Sequence, residues 1–208
     1  MYSILCYGDS NTWGYNPKDG SIYPKHLSWT GIMKKELGDN YEVIVEGLNS
    51  RTTVWDDPIE GEYKNGKKFL FTCLQSHKPI DLVIIFLGTN DLKSRFNISE
   101  NDIARGVETL VKIIQKSESG VDMTVPEILV IIPTKIEGIK EAGSSFDRVS
   151  EEKSKLFSIA YKEVLKDYDI HMFDASEIIE PSKIDGVHFD LDKHELLGKS
   201  IAKMIKNL

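Results

Sequence analysis

Apolar residues along this chain follow two rhythms. Five short runs, Ile4–Tyr7, Tyr41–Val45, Leu82–Leu87, Ile128–Ile132 and His171–Phe173, have the length of strands, and the first four are rich in β-branched or aromatic residues or leucine. The third and fourth are unbroken Val/Ile/Leu stretches, as expected of parallel strands covered on both faces. Between the runs, apolar residues recur every three or four positions, the period of an amphipathic helix. This places helices over Leu27–Leu37, ended by Gly38, and over Phe69–His77, stopped by Pro79. A third is capped by Ser99 and carries Ile103, Val107, Leu110, Val111 and Ile114 on one stripe. A long charged helix over Phe146–Tyr168 should turn Leu156, Ile159, Ala160, Val164 and Leu165 inward. The last starts at Asp192, with Glu195 in the capping-box position, and runs through Leu196, Leu197, Ile201, Ile205 and Leu208. Strand and helix alternate throughout, which predicts right-handed βαβ units and an α/β fold: a three-layer α/β/α sandwich about a five-stranded parallel sheet, with residues 1–208 as one domain.

Composition narrows the partners. The chain has 208 residues, 40% of them hydrophobic and 28% charged, an ordinary globular balance. A net charge of −7 argues against nucleic acid or an anionic membrane as partner. No stretch approaches the ~20 apolar residues of a membrane span, and the start lacks the basic flank and length of a signal peptide, so a cytoplasmic location is expected. Cys6 and Cys73 are too few for a disulfide framework and are expected to pack in the core.

Chemistry gathers where apolar runs stop. Gly8-Asp9-Ser10 follows the first strand, Gly88-Thr89-Asn90-Asp91 the third, and Asp185-Gly186-Val187-His188 lies beyond the fifth. In a parallel sheet the carboxyl ends of the strands face one side, so these segments can share a crevice. Ser10 is a candidate nucleophile, His188 the base that would take its proton, and Asp185, three residues away, the group that would orient the imidazole. Asn90 and the Ser10 backbone N–H are candidate oxyanion donors, and a loop after the second strand could add a third. Each motif alone is common; the ordered conjunction is specific. Two long connections, Arg51–Lys68 and Pro133–Ser145 (with Gly138 and Gly143), are expected to shape the substrate pocket.

These blocks resemble the SGNH (GDSL-type) hydrolases almost end to end, and their arylesterase/acyltransferase branch most closely. The resemblance rests on Gly8-Asp9-Ser10-Asn11-Thr12-Trp13-Gly14, Glu46-Gly47-Leu48 with Arg51-Thr52-Thr53, Asp56-Asp57-Pro58, the Asn90 block, Phe173-Asp174-Ala175 and the Asp185–His188 block. It implies a flavodoxin-like sandwich and a metal-free serine esterase acting on small ester substrates, with Ser10, His188 and Asp185 as nucleophile, base and orienter and no cofactor. Ser50 stands where the family usually has glycine; its backbone N–H would be the third oxyanion donor. Asn11 replaces an apolar residue of the acyltransferases, and an amide there is expected to hold water and favour hydrolysis over acyl transfer. Asn11, Trp13 and Tyr15 are the expected pocket walls. Subunit packing helps to build the pocket in that branch, so a homo-oligomer is expected.

Other readings are weighed against this one. The Ser10-Asn11-Thr12 loop also loosely matches a flavin phosphate loop, which would make the chain an electron carrier, but Asp185 and His188 would then have no work. His26, His77, His171 and His194 read as structural or solvated. His188, Asp190, Asp192 and His194 form a weak metal pattern, weakened further if Asp192 caps the last helix.

Overall fold

The computed structural model describes residues 1–139 and 144–208, so Gly143 of the second long connection lies outside the described residues. Five strands form one parallel sheet: β1 (Tyr2–Gly8), β2 (Tyr41–Gly47), β3 (Leu82–Phe86), β4 (Glu127–Ile132) and β5 (His171–Asp174). Their order is β2-β1-β3-β4-β5, the flavodoxin-like arrangement, with the chain reversing direction across the sheet at β1. The expected α/β/α sandwich is therefore the observed one.

The layers follow from strand periodicity. Ile4 and Cys6 face one side with Leu82, Ile84, Leu129 and Ile131, where α2 (Trp29–Leu37) and α7 (Leu191–Ile205) cover them through Trp29, Met33, Leu197 and Ile201. Leu5 and Tyr7 face the other with Val83, Ile85, Ile128 and Val130. There α3 (Gly66–His77), α4 (Glu100–Gln115) and α6 (Phe157–Leu165) supply Leu70, Leu74, Val107, Leu110, Phe157 and Tyr161. A single helical turn, α1 (Ser10–Trp13), sits directly on the sheet's carboxyl edge. It sits there because β1 and β2 both end in glycine, paired as Gly8↔Gly47. A Cβ on Gly47 would lie 2.3 Å from the Trp13 nitrogen, and one on Gly8 2.1 Å from Thr12 Oγ1.

Three helix expectations need correction. The long charged helix is two: α5 (Arg148–Ser154) and α6, broken at Lys155 and Leu156. Each serves a different neighbour. α5 is fastened by Ser150 Oγ to the Leu92 carbonyl at 2.7 Å, whereas Tyr161 of α6 donates to the Leu87 carbonyl at 2.9 Å. Leu156 and Ile159 consequently face solvent, at 44% and 70% exposure, while Ala160 and Leu165 are buried. The last helix is entered from Asp190, without a side-chain cap, so Asp192 lies in its first turn, where a carboxylate favours the dipole but caps nothing. Leu196 and Leu208 are exposed; Leu197, Ile201 and Ile205 carry the packing. The first long helix starts at Trp29, after a 3₁₀ turn over Lys25–Leu27, because Ser28 caps it through the Gly31 N–H.

Candidate active site

Three loops at the carboxyl edge converge. The first is set by Asp9, which caps α1 by accepting from the Asn11 N–H at 3.0 Å and so presents Ser10 at the start of the turn. The second is the 3₁₀ turn Thr89–Leu92 after Gly88. Asp91 fastens it to the loop after β2 by accepting from the Thr53 N–H at 3.0 Å and the Thr53 hydroxyl at 2.5 Å. The third holds Asp185 and His188 and is closed by its own backbone: Ser182 N–H donates to the His188 carbonyl at 2.7 Å, and Gly186 N–H to the Ser182 carbonyl at 2.8 Å. Gly186 sits at φ 74°. A Cβ there would also lie 2.0 Å from the Glu137 carbonyl, so only glycine fits.

A continuous chain of hydrogen bonds results. Asp185 Oδ2 lies 2.6 Å from His188 Nδ1, and His188 Nε2 lies 2.9 Å from Ser10 Oγ. Asp185 Oδ1 also accepts the Val187 and His188 backbone N–H groups, at 2.9 and 3.0 Å. Burial works to raise the Asp185 pKa, but the His188 contact and these amides prevail and hold it below the usual carboxylate range. Tyr15 stacks on the imidazole, ring centroids 4.0 Å apart, and restrains its tilt.

Asp9 is the opposite case. It is 3% exposed, and burial pushes its pKa up to about 6 against the opposing pull of the Asn11 amide and His188. Neighbouring Asp91 is pushed up to about 7, first by burial and further by Asp9, while Thr53 opposes the rise.

The cavity in front of Ser10 has a volume of about 300 Å³. Ser10, His188, Asp185, Ser50, Asn90 and Tyr15 all line it, so the structure brings these six expected residues together. Among the described residues, neither the Ser10 nor the Ser50 backbone N–H has a hydrogen-bond acceptor. Ser50 holds φ 65°, the left-handed region that favours the glycine usual in the resembling family. Asn90 Nδ2 is loosely held, 3.5 Å from Asp9 Oδ2.

Two expected pocket walls lie elsewhere. Trp13 lines a separate hollow of about 590 Å³ between α1, α2 and β2, because the α1 turn rests on Gly47 and carries Trp13 to that side. Asn11 is 3% exposed, and its Nδ2 reaches the Val187 carbonyl at 3.5 Å, tying the serine loop to the histidine loop instead of facing the cavity. His194 is buried with its Nδ1 accepting from the Trp29 N–H at 3.2 Å and its ring packed edge-on against Tyr23 and Phe189, so it belongs to the core.

The two long connections expected to shape the pocket reach the cavity through Glu60 and through Ser144 and Ser145, and Val187 joins them from the histidine loop. Sequence reasoning missed Asn49, Lys93 and Phe146 on the far wall. Lys93 is 3% exposed; its Nζ lies 2.5 Å from Glu60 Oε1. Arg95 bridges Asp57 at 2.8 Å, Glu60 at 2.7 Å and Ser145 Oγ at 3.0 Å. Two acids and two bases thus join the 51–68 connection to the segment after β3 and to residue 145. The available signal was the pair of bases, Lys93 and Arg95, on a segment that leaves the same sheet edge as the connection carrying Asp57 and Glu60.

The sequence profile of the GDSL-like Lipase/Acylhydrolase family matches residues 6–195. The chain belongs to that family. Among solved structures, this GDSL-like hydrolase is similar to the aryl esterase of M. smegmatis, with 36% identity, 100% of both chains covered and a TM-score of 0.93. It is also similar to Est24, a carbohydrate acetylesterase from Sinorhizobium meliloti, with 38% identity, 100% and 99% of the two chains covered and a TM-score of 0.94. No curated protein sequence matches it. Family and neighbours together make it a carboxylic ester hydrolase of the SGNH type, and the electron-carrier reading is not favoured.

Proposed function

We propose that this hydrolase cleaves short-acyl esters of polar alcohols through an acyl-enzyme on Ser10. The observation that carries the reading is the unbroken Asp185–His188–Ser10 chain, at 2.6 and 2.9 Å, opening on a cavity. Ser10 Oγ attacks the ester carbonyl while His188 Nε2 takes its proton; Asp185 holds the Nδ1–H tautomer and stabilises the imidazolium. The tetrahedral oxyanion is met by the Ser10 and Ser50 backbone N–H groups and Asn90 Nδ2. Collapse expels the alcohol, which leaves with the proton from His188. Water then attacks the acyl group on Ser10 by the same steps in reverse roles and frees the acid.

Support for the substrate class comes from the wall. Asn49, Glu60, Lys93, Ser144 and Ser145 offer donors and acceptors suited to a hydroxyl-bearing alcohol, and a volume of about 300 Å³ suits a small acyl group. The carbohydrate acetylesterase at 38% identity is in keeping with that choice. The same polar wall favours water as acceptor over an apolar alcohol, so hydrolysis is the main route, for a reason other than Asn11.

The test has two arms. Mass spectrometry after a fluorophosphonate probe is expected to place the label on Ser10. Hydrolysis of an ester panel is expected to favour acetyl over octanoyl esters by at least about tenfold in kcat/KM, with acetylated sugars among the substrates. A label on another residue overturns the mechanism; a preference for long acyl chains overturns the substrate class.

A further inference from the structure

Away from the ester site, on the opposite side of β2 from the Trp13 hollow, three metal-binding side chains meet. Cys73 and His77 are four residues apart on α3, which puts them on one helix face. Glu46 is on β2, on the strand face shared with Ile44, which packs against the α3 side of the core. Among the described residues, Glu46, Cys73 and His77 each offer one ligand atom, and these atoms lie within 4.8 Å of one another. His77 Nε2 is already 2.9 Å from Glu46 Oε1.

We propose that Glu46, Cys73 and His77 form a zinc-binding site, with water in the fourth position. Thiolate, imidazole and carboxylate are the three ligand types that Zn²⁺ takes, at about 2.3, 2.0–2.1 and 2.0–2.2 Å. Tetrahedral ligands at those lengths stand roughly 3.3–3.6 Å apart, so the set closes by small side-chain movements. The site is reachable: His77 and Glu46 side chains are 31% and 36% exposed, and Cys73 is half-buried. Arg51 does not compete for the Glu46 carboxylate, because its Nη1 donates instead to the backbone carbonyls of Gly8 and Glu46. Binding exchanges the thiol proton of Cys73 for the metal and leaves two negative ligands against one divalent ion. This site is independent of Ser10 and supplies no step of ester cleavage.

Co²⁺ and Zn²⁺ titration of the intact protein tests the site. One equivalent of Co²⁺ should give a thiolate-to-cobalt charge-transfer band that Zn²⁺ bleaches. Cys73→Ala should abolish the band, and His77→Gln, a change at a partly exposed residue outside the buried core, should weaken Zn²⁺ binding by more than about 100-fold. Zn²⁺ should also raise the unfolding temperature of the unmutated protein and not of His77→Gln. Absence of the band, its persistence in Cys73→Ala, or unchanged Zn²⁺ affinity in His77→Gln would overturn the proposal.

Discussion

Two carboxylates flank the serine–imidazole pair, and their surroundings push them in opposite directions. Asp185 lies on the cavity rim, accepts two backbone amides and touches the imidazole, so its anion is favoured. Asp9 is sealed beneath Ser10 with one close backbone amide, a second, looser donor in Asn90 at 3.5 Å and another buried acid, Asp91, close enough to repel it, so its neutral form is favoured up to about pH 6. The difference shows that distance to the nucleophile does not set a carboxyl's role. What sets it is the number of donors it receives and how much water it keeps. One acid is equipped to hold charge beside the base; the other is equipped to hold backbone in place.

Removing the charge from the first should hurt most. Asp185→Asn keeps the shape but lets the imidazole present the wrong tautomer, and kcat is expected to fall by about 10⁴ with folding unchanged. Steady-state kinetics on an acetyl ester with circular dichroism as control measure this; a loss below about tenfold would mean that Asp185 does not orient His188. Next comes the donor that Asp9 touches. Asn90→Ala should lower kcat by about 10²–10³ and leave KM nearly constant, because its amide is fully used only in the transition state. An increase confined to KM would make it a substrate-binding group instead.

The smallest effect is on stability and concerns Asp9. Its folded pKa, about 6, lies above a free aspartate's 3.8, so its contribution is fully present below about pH 4 and is lost as pH rises through 6. Asp9→Asn should remove that decline, worth of order 3 kcal/mol at most. Thermal unfolding of both proteins between about pH 4 and pH 7 reads it out: the gap in unfolding temperature should move in the variant's favour as pH rises. Asp91 shares the sign and remains in the variant, so a residual decline toward pH 7 is expected. Parallel curves would mean that Asp9 is ionised throughout.

The sheet was legible from its apolar runs and the covering helices from their three-to-four-residue period. The serine and asparagine loops were legible because an apolar run there stops at glycine before polar residues, and the histidine loop because Asp185 and His188 stand three apart ahead of the last helix. Ser50 was legible only through its neighbours, since nothing in a serine announces a left-handed backbone. The helix break at Lys155–Leu156 was hidden, because α5 and α6 are charged on their outer faces alike and differ only in what lies beneath them. The Glu60–Lys93–Arg95–Asp57 wall was hidden for a related reason. Charges in a connection read as solvated, and only the folded chain reveals that Lys93 and Asp57 are removed from water. Trp13 misled through adjacency: one tight turn is enough to carry it from the nucleophile's side to the hollow over β2.

The span between nucleophile and base has a consequence for the chain as it leaves the ribosome. Ser10 and His188 are 178 positions apart, and synthesis proceeds from the serine end. At about 5–20 residues per second, the serine loop exists for on the order of ten seconds or more before its base has been made. During that interval the hydroxyl is an ordinary, unreactive alcohol. Under the proposed mechanism, hydrolysis switches on only when the last loop has closed against Glu137, which follows β4, so a stalled or truncated chain lacking that loop would carry a serine that attacks nothing.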